Sequence, residues 1–272
     1  INRWIYSELI STKSMTEKYI RKYRFDEAAR IIYKFVWNTY CDWYLELSKT
    51  ILFSKNKKEI AEVKNMSGQI FKEILILLHP FIPFLTEELW LKNKLRSKKT
   101  KFLMYAPWTS SKNIKIDNRI KNVNSVIQII SNIRSFKSEL NVNPGSFIDI
   151  SIKNIAPSKQ KIFMENETIL KKLGRVNTIS KKDLPKQSAN LVVLGDILKI
   201  YFDKSIDLVL IKQNLVKKQS KIQQDLEIIG KKLNNPSFVE RAPKHIVEQE
   251  KNIYNDLKNN IVKINLTINS LK

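Results

Sequence analysis

A single cysteine, Cys41, leaves no disulfide framework and no cysteine-based zinc site, and it fits a reducing, cytoplasmic setting. Histidine is almost as scarce. His79 and His245 lie far apart, each at a helix boundary, so capping or packing suits them better than catalysis, and no metal-ligand set is visible. There is no glycine-rich phosphate loop, no Cys-x-x-Cys, and no serine or cysteine nucleophile pattern with a plausible base. The adjacent acids Glu87 and Glu88 follow Thr86 early in a helix, where they complement its dipole rather than act as general acid and base. Only five glycines and eight prolines punctuate the chain, so long helices are expected to dominate. Apolar runs such as Ile74–Leu78 fall far short of the roughly 20 residues a membrane span needs. The opening Ile1-Asn2-Arg3-Trp4 has neither an initiator methionine nor a signal-peptide pattern, and reads as a helix entered midway in something longer.

Basic side chains are abundant. The chain has 272 residues, room for two domains or for one with an appendage, and its apolar share of 43% supports a real core. Lys and Arg total 49 against 26 acids, a net charge of +23 with a pI near 9.9. An excess of that size favours a polyanionic partner held through phosphate contacts and counterion release; the competing explanation is compositional bias, since Lys, Asn and Ile are all heavily used. The charge is spread: residues 1–112 carry 21 bases and 11 acids, 113–203 carry 15 and 8, and 204–272 carry 13 and 7. No segment is a detached basic tail, a pattern that suits a large folded RNA better than a short peptide.

Periodicity predicts a mostly α fold in three parts. In residues 1–112, Ile1, Trp4, Ile5 and Leu9, then Met15, Tyr19 and Ile20, recur at helical spacing. A second helix opens at Arg24–Ala29, with acids in its first turn, and runs through Tyr33, Trp37 and Tyr44 towards Lys49. A third covers Lys57–His79, and a fourth begins at Pro83, a residue tolerated in a first turn. These four helices are expected to form one bundle, followed by a charged loop, Lys92–Lys101, and a short apolar return through Ala106-Pro107-Trp108. Residues 113–203 read as a small α+β unit. Its helices are marked by Val123, Ile127, Ile130, Ile133 and Leu140, and by Ile162–Leu173. Its strands are Phe147–Ile152, Arg175–Ile179, Leu191–Leu194 and Leu198–Phe202. In 204–272 the period becomes seven: Leu208, Leu215, Ile222 and Ile229, with Leu226 and Leu233 beside them, then Ile246 and Ile253, Leu257, Ile264 and Leu271. Two heptad-patterned helices joined by a Pro236-containing connection predict an antiparallel coiled-coil hairpin that projects as a lever.

Binding candidates follow the charge. Lys18, Arg21, Lys22 and Arg24 cluster at the junction of the first two helices, interleaved with Tyr19, Tyr23 and Phe25. Cations beside flat rings are what unpaired RNA bases need, though a solvated helix end with its aromatics in the core explains the same pattern. Spacing assigns Trp37, Cys41, Trp43 and Tyr44 to the core, with Asn38, Asp42 and Glu46 as a polar stripe that either reads bases or bonds neighbouring helices. Lys217, Lys218 and Lys221, with Lys231, Lys232, Arg241 and Lys244 near the hairpin tip, make a candidate basic rim.

Longer motifs are more specific. Tyr23-Arg24-Phe25-Asp26-Glu27-Ala28-Ala29 and Trp37-Asn38-Thr39-Tyr40-Cys41-Asp42-Trp43-Tyr44-Leu45-Glu46 resemble the anticodon-binding domain of the valyl-tRNA synthetase family. So does the run from Leu78-His79-Pro80 to Leu89-Trp90, with Ala106-Pro107-Trp108 after it. Ile133-Arg134 through Asn143-Pro144-Gly145 looks like the family's next segment, and Asn235-Pro236 through Ala242-Pro243 like the turn of its C-terminal coiled coil. The resemblance covers essentially the whole chain in order. It implies a class I aminoacyl-tRNA synthetase in which ATP, with magnesium, activates valine in a catalytic domain and the adenylate esterifies the tRNA. Motifs resembling His-Ile-Gly-His and Lys-Met-Ser-Lys-Ser, which those steps need, do not occur here. The expectation is therefore a cytoplasmic, monomeric fragment that binds valine-accepting tRNA, carries no cofactor, touches no membrane, works beside the catalytic domain of its parent chain and catalyses nothing alone. In it the bundle would hold the anticodon stem-loop while the coil leans on the tRNA's outer corner. A stand-alone RNA-binding protein or a coiled-coil scaffold is the alternative.

Overall fold

The first helix, α1 (Asn2–Arg21), buries Trp4, Ile5, Leu9 and Ile10 along one face, as its spacing requires. The computed structural model describes residues 1–96, 100–108, 118–185, 187–203, 208–236 and 244–271. The chain forms two compact units, Ile1–Ile127 and Gln128–Lys272.

In the first unit α1 packs on a long helical rod made of α2 (Phe25–Lys34), a π-helical segment (Phe35–Leu45) and α3 (Glu46–Leu52). α4 (Lys57–Leu78) starts at Asn56, whose side chain accepts from Glu59 N at 3.3 Å, and lies against both. Polar links tie these helices together. Lys13 of α1, nearly buried, pairs with Glu73 of α4 at 2.6 Å; removing one partner of a buried pair costs about 3–5 kcal/mol. Tyr44, fully buried in the rod, donates its hydroxyl to Asn2 Oδ1 (3.1 Å), and burial pushes its pKa up to about 12. α5 (Pro83–Lys92) opens with proline in its first turn, next to a hydrogen bond between His79 Nδ1 and Thr86 Oγ1 (2.8 Å), so His79 serves the helix corner. The Glu87 carboxylate accepts from Leu103 N at 2.8 Å, which draws Leu103, Ala106 and Trp108 onto Trp90.

α6 (Asn118–Glu139) contains the boundary between the units. In the second unit the described residues form a four-stranded sheet of β1 (Ile148–Ser151), β2 (Val176–Ser180), β3 (Ser188–Val193) and β4 (Asp196–Tyr201), in the order β2-β1-β4-β3. β1 and β2 run parallel, joined through α7 (Pro157–Glu165) and α8 (Glu167–Leu173), a single helix in the sequence reading that the structure breaks at Asn166. β3 and β4 form a hairpin whose central pair, Leu194 (φ +53°) and Gly195 (φ +83°), has the left-handed geometry that suits sheet twist. The strand predicted from Leu191 starts three residues earlier, because Ser188, Ala189 and Asn190 gain their strand character from pairing with β4 rather than from propensity.

α9 (Leu208–Leu233) and α10 (Lys244–Ser270) lie side by side. Lys232 bonds Glu250, Gly230 sits beside Tyr254, and Gln219 bonds Asn265. One partner steps back as the other advances, so the pair is antiparallel, each arm about 39 Å long at roughly 1.5 Å per residue. Leu215, Val247 and Ile264 are buried in the seam. Ile253, expected there, is 47% exposed, and half-buried Tyr254 takes the place, because the seam advances in steps of four and three from Glu250 through Tyr254 and Leu257. Among the described residues no helix is long and apolar enough to cross a membrane.

Candidate nucleic-acid interface

The end of α1 is closed by Arg24 N donating to Tyr19 O and Tyr23 N to Ile20 O, both at 2.9 Å, a Schellman ending. Its left-handed position, glycine's usual place, is filled by Tyr23 at φ +56°. That ring is 83% exposed and meets Phe25 edge-on at 6.4 Å, so neither aromatic is spent on the core. Lys18 and Lys22 are exposed, and neither makes an ion pair among the described residues. The two arginines are engaged: Arg21 with Glu17 at 2.7 Å, Arg24 with Asp26 at 3.2 Å and with Glu27 at 3.3 Å. The Arg24 bond in turn holds the Asp26 carboxyl below its usual pKa. Exposed pairs of this kind contribute little to stability, so a phosphate can displace the carboxylate. Beside this junction lies a cleft of about 680 Å³ whose walls include Ile20, Arg21, Phe25, Phe81 and Trp108. Its lining is largely aromatic and apolar, and its one basic side chain, Arg21, is paired with Glu17, which also lines it.

The rod supplies a second surface. Helical spacing assigned Trp37 to the core, and the structure corrects this: Trp37 is 57% exposed. The π-helical segment is the physical reason. Its i→i+5 ladder widens the turn, so burial steps from Phe35 to Tyr40, five residues on, and then to Tyr44. Trp37 is thereby turned outward, where it stacks on Tyr33, itself 64% exposed, with ring centroids 6.4 Å apart and planes within 8°. Cys41 and Trp43 are half-buried and Tyr44 is buried. Asn38 and Asp42 are both exposed and continue the same ribbon after Arg30, Tyr33, Lys34 and Trp37, all following one another at steps of three, one, three, one and four residues. Sequence reasoning found the polar stripe but missed the stacked rings beside it; the available signal was two large aromatics four apart in a segment too rich in them for one buried face.

On the hairpin, Lys217, Lys218, Lys221, Lys231 and Lys232 are all exposed. They do not form one rim. The first three lie near seam residue Leu215, and Lys231 is ten residues beyond Lys221, about 15 Å along the helix. Lys218 also lines a cleft with Leu215, Ile222 and Ile264, and Lys232 is paired with Glu250. Lys244 begins α10 but its side chain, like all of Arg241, lies outside the described residues.

The chain thus has a helical bundle with exposed stacked rings and, later in sequence, a pair of helices carrying exposed lysines. Residues 2–152, more than half the chain, match the family model described as the anticodon-binding domain of tRNA ligase, and the chain belongs to that family. Residues 207–272 match the valyl tRNA synthetase tRNA binding arm. The chain is 54% identical over its full length to the valine--tRNA ligase of Pelagibacter ubique, covering 31% of that protein. It is 36% identical, again over its full length, to the valine--tRNA ligase of Bartonella henselae, covering 30% of it, and 33% identical over 99% of its length to that of Zymomonas mobilis, covering 31%. The chain thus spans about a third of the length of the curated relatives it matches. Together the matches cover the anticodon-binding and tRNA-binding-arm portions of a valine--tRNA ligase.

Proposed function

We propose that this chain holds valine-accepting tRNA for a cytoplasmic, monomeric valine--tRNA ligase whose ATP- and magnesium-dependent catalytic domain is another part of the same polypeptide. Residues 1–112 grip the anticodon stem-loop, 113–203 connect, and 204–272 contact the tRNA body. The observation that carries this reading is the exposed Tyr33–Trp37 stack, set beside Asn38 and Asp42 within the family's anticodon-binding segment. Burying one ring of such a pair would be the ordinary use of it; leaving both in solvent provides a platform for a base. Asn38 and Asp42 then bond the edge of that base, and Lys18, Lys22 and Lys34 meet the backbone around it, so phosphate contacts position and base contacts specify. The chain by itself catalyses nothing, and no residue here is assigned a catalytic role.

The test measures binding of the chain to valine tRNA, to the same tRNA with an altered anticodon, and to an unrelated tRNA across a salt series. Expected are a steep fall in affinity with salt and weaker binding when the anticodon changes. Excising residues 224–260 and closing the gap with a short turn keeps Leu215, Gln219 and Ile264 at the base of the hairpin, and should weaken all three RNAs alike. Absence of binding at low salt, or indifference to the anticodon, rejects the reading.

A further inference from the structure

The corner of the second unit where the end of α6, the turn before β1 and the α8–β2 junction meet carries more positive charge than its fold requires. Arg134 of α6 donates through Nε (3.2 Å) and Nη2 (2.9 Å) to Leu173 O, at the end of α8. Lys137, one turn further, is 2% exposed and donates Nζ to Ser146 O at 2.8 Å and Gly174 O at 3.5 Å. The Arg175 guanidinium lies 5.6 Å from the centroid of Phe147, a ring 53% exposed. A helix C-terminus presents only about half a negative charge, yet two cations donate to this one and a third, Arg175, follows it directly in sequence. Of the nearby acids, Glu167 pairs with Lys171 at 2.7 Å and Asp149 accepts from Asn177 at 3.2 Å, while Glu139 is exposed and lines the cleft with Leu215 and Ile264. Burial first, then the like charges of Arg175 and Arg134, pushes the Lys137 ammonium down to about 8.

Backbone geometry points the same way. Arg175 sits at φ +53°, left-handed, at the helix end where glycine is the default. Glycine stands one position earlier, because a Cβ on Gly174 would come within 2.7 Å of Leu170 O. A large cation is thus retained in a strained backbone conformation, beside an exposed ring and away from the core.

We infer that this corner is a phosphate-binding site for the RNA backbone, with Arg175 as the contacting group on its Phe147 platform and Lys137 as a positive charge buried behind it. With its guanidinium 5.6 Å from the centre of an exposed ring, Arg175 keeps N–H groups that can meet two oxygens of one phosphodiester. Residue 175 lies in neither of the two matched stretches, 2–152 and 207–272. The inference rests on the proposed tRNA-holding role.

Arg175→Asn removes the charge but keeps a residue that tolerates the left-handed backbone. In the same salt series its affinity should fall about three- to tenfold for valine tRNA and unrelated tRNA alike, and the log–log salt slope should flatten by about 0.7–0.9, one phosphate contact. Phe147→Leu should weaken binding in the same direction with the slope kept. If the wild-type chain binds tRNA and Arg175→Asn matches it in affinity and slope, this inference is wrong while the tRNA-holding role stands. If the wild-type chain fails to bind tRNA at all, both fall.

Discussion

Replacing Trp37 by alanine separates recognition from folding. The ring is 57% exposed and its described ring contact is with Tyr33, at 6.4 Å, so the fold loses little beyond one aromatic pair, about 0.5–1.5 kcal/mol. The bound state loses more: a base stacked on a protein ring is worth about 1–3 kcal/mol, which is about 5- to 150-fold in Kd at roughly 1.4 kcal/mol per decade. Trp37 carries no charge, so log affinity against log salt should shift down without changing slope, the opposite of a lysine or arginine substitution. Fluorescence anisotropy with labelled valine tRNA, run beside urea denaturation, reads both quantities. Trp37→Phe should recover most of the affinity, and Tyr33→Ala should be less than additive with Trp37→Ala because the rings form one platform. Affinity within twofold of wild type, or a loss that merely tracks unfolding, would refute the argument.

Three further substitutions have worked signs. Tyr23→Gly relieves a left-handed backbone at φ +56°, so the urea midpoint should rise by the equivalent of about 1 kcal/mol while tRNA affinity drops. Lys137 has its pKa lowered from the ordinary 10.5 to about 8. Between those values the unfolded chain binds the extra proton, so stability should rise with pH across that window by up to roughly 3 kcal/mol; Lys137→Met should abolish that rise in pH-dependent denaturation. Asp183 is held well below the usual carboxylate range by hydrogen bonds from Lys153, Lys199 and Tyr201. Its contribution is present above the unfolded pKa and lost as pH falls through the folded one, so wild type and Asp183→Asn should differ most near neutrality and converge in strong acid.

Much of the fold was legible because helical and heptad periods are local. α1, α4 and α5 begin and end within a residue or two of where their spacing placed them, and the hairpin follows from sevens. The failures share a cause: the period itself changed. A π-helical ladder rotates Trp37 out of the core, and no composition rule announces such a segment. At Ile253 a strict seven-residue count overran a seam that moves in fours and threes. For the interface, the positive charge was readable but its pairing was not. That Arg21, Arg24 and Lys232 already hold carboxylates, whereas Lys18 and Lys22 are exposed without an ion pair among the described residues, depends on rotamers that spacing does not specify.

Scarcity of glycine ties the two proposed RNA contacts together. With five glycines in 272 residues, several helices end on a non-glycine residue in the left-handed conformation: Tyr23, Lys94, Asn141 and Arg175 all have φ between +53° and +56°. Asparagine tolerates that backbone. Tyr23 and Arg175 are different, because each projects a large side chain past the helix end onto an exposed ring, Phe25 in one case and Phe147 in the other. If strain at a helix end is retained because the side chain serves a ligand, both positions should answer glycine in the same way, with a more stable fold and a weaker grip on RNA. Glycine at 23 and at 175 in the same chain should then raise the denaturation midpoint additively while the affinity losses also add, since the residues lie in different units. A double variant that gains stability yet binds tRNA as the wild type does would show the strain to be incidental, and would remove the reason for assigning either residue to the interface.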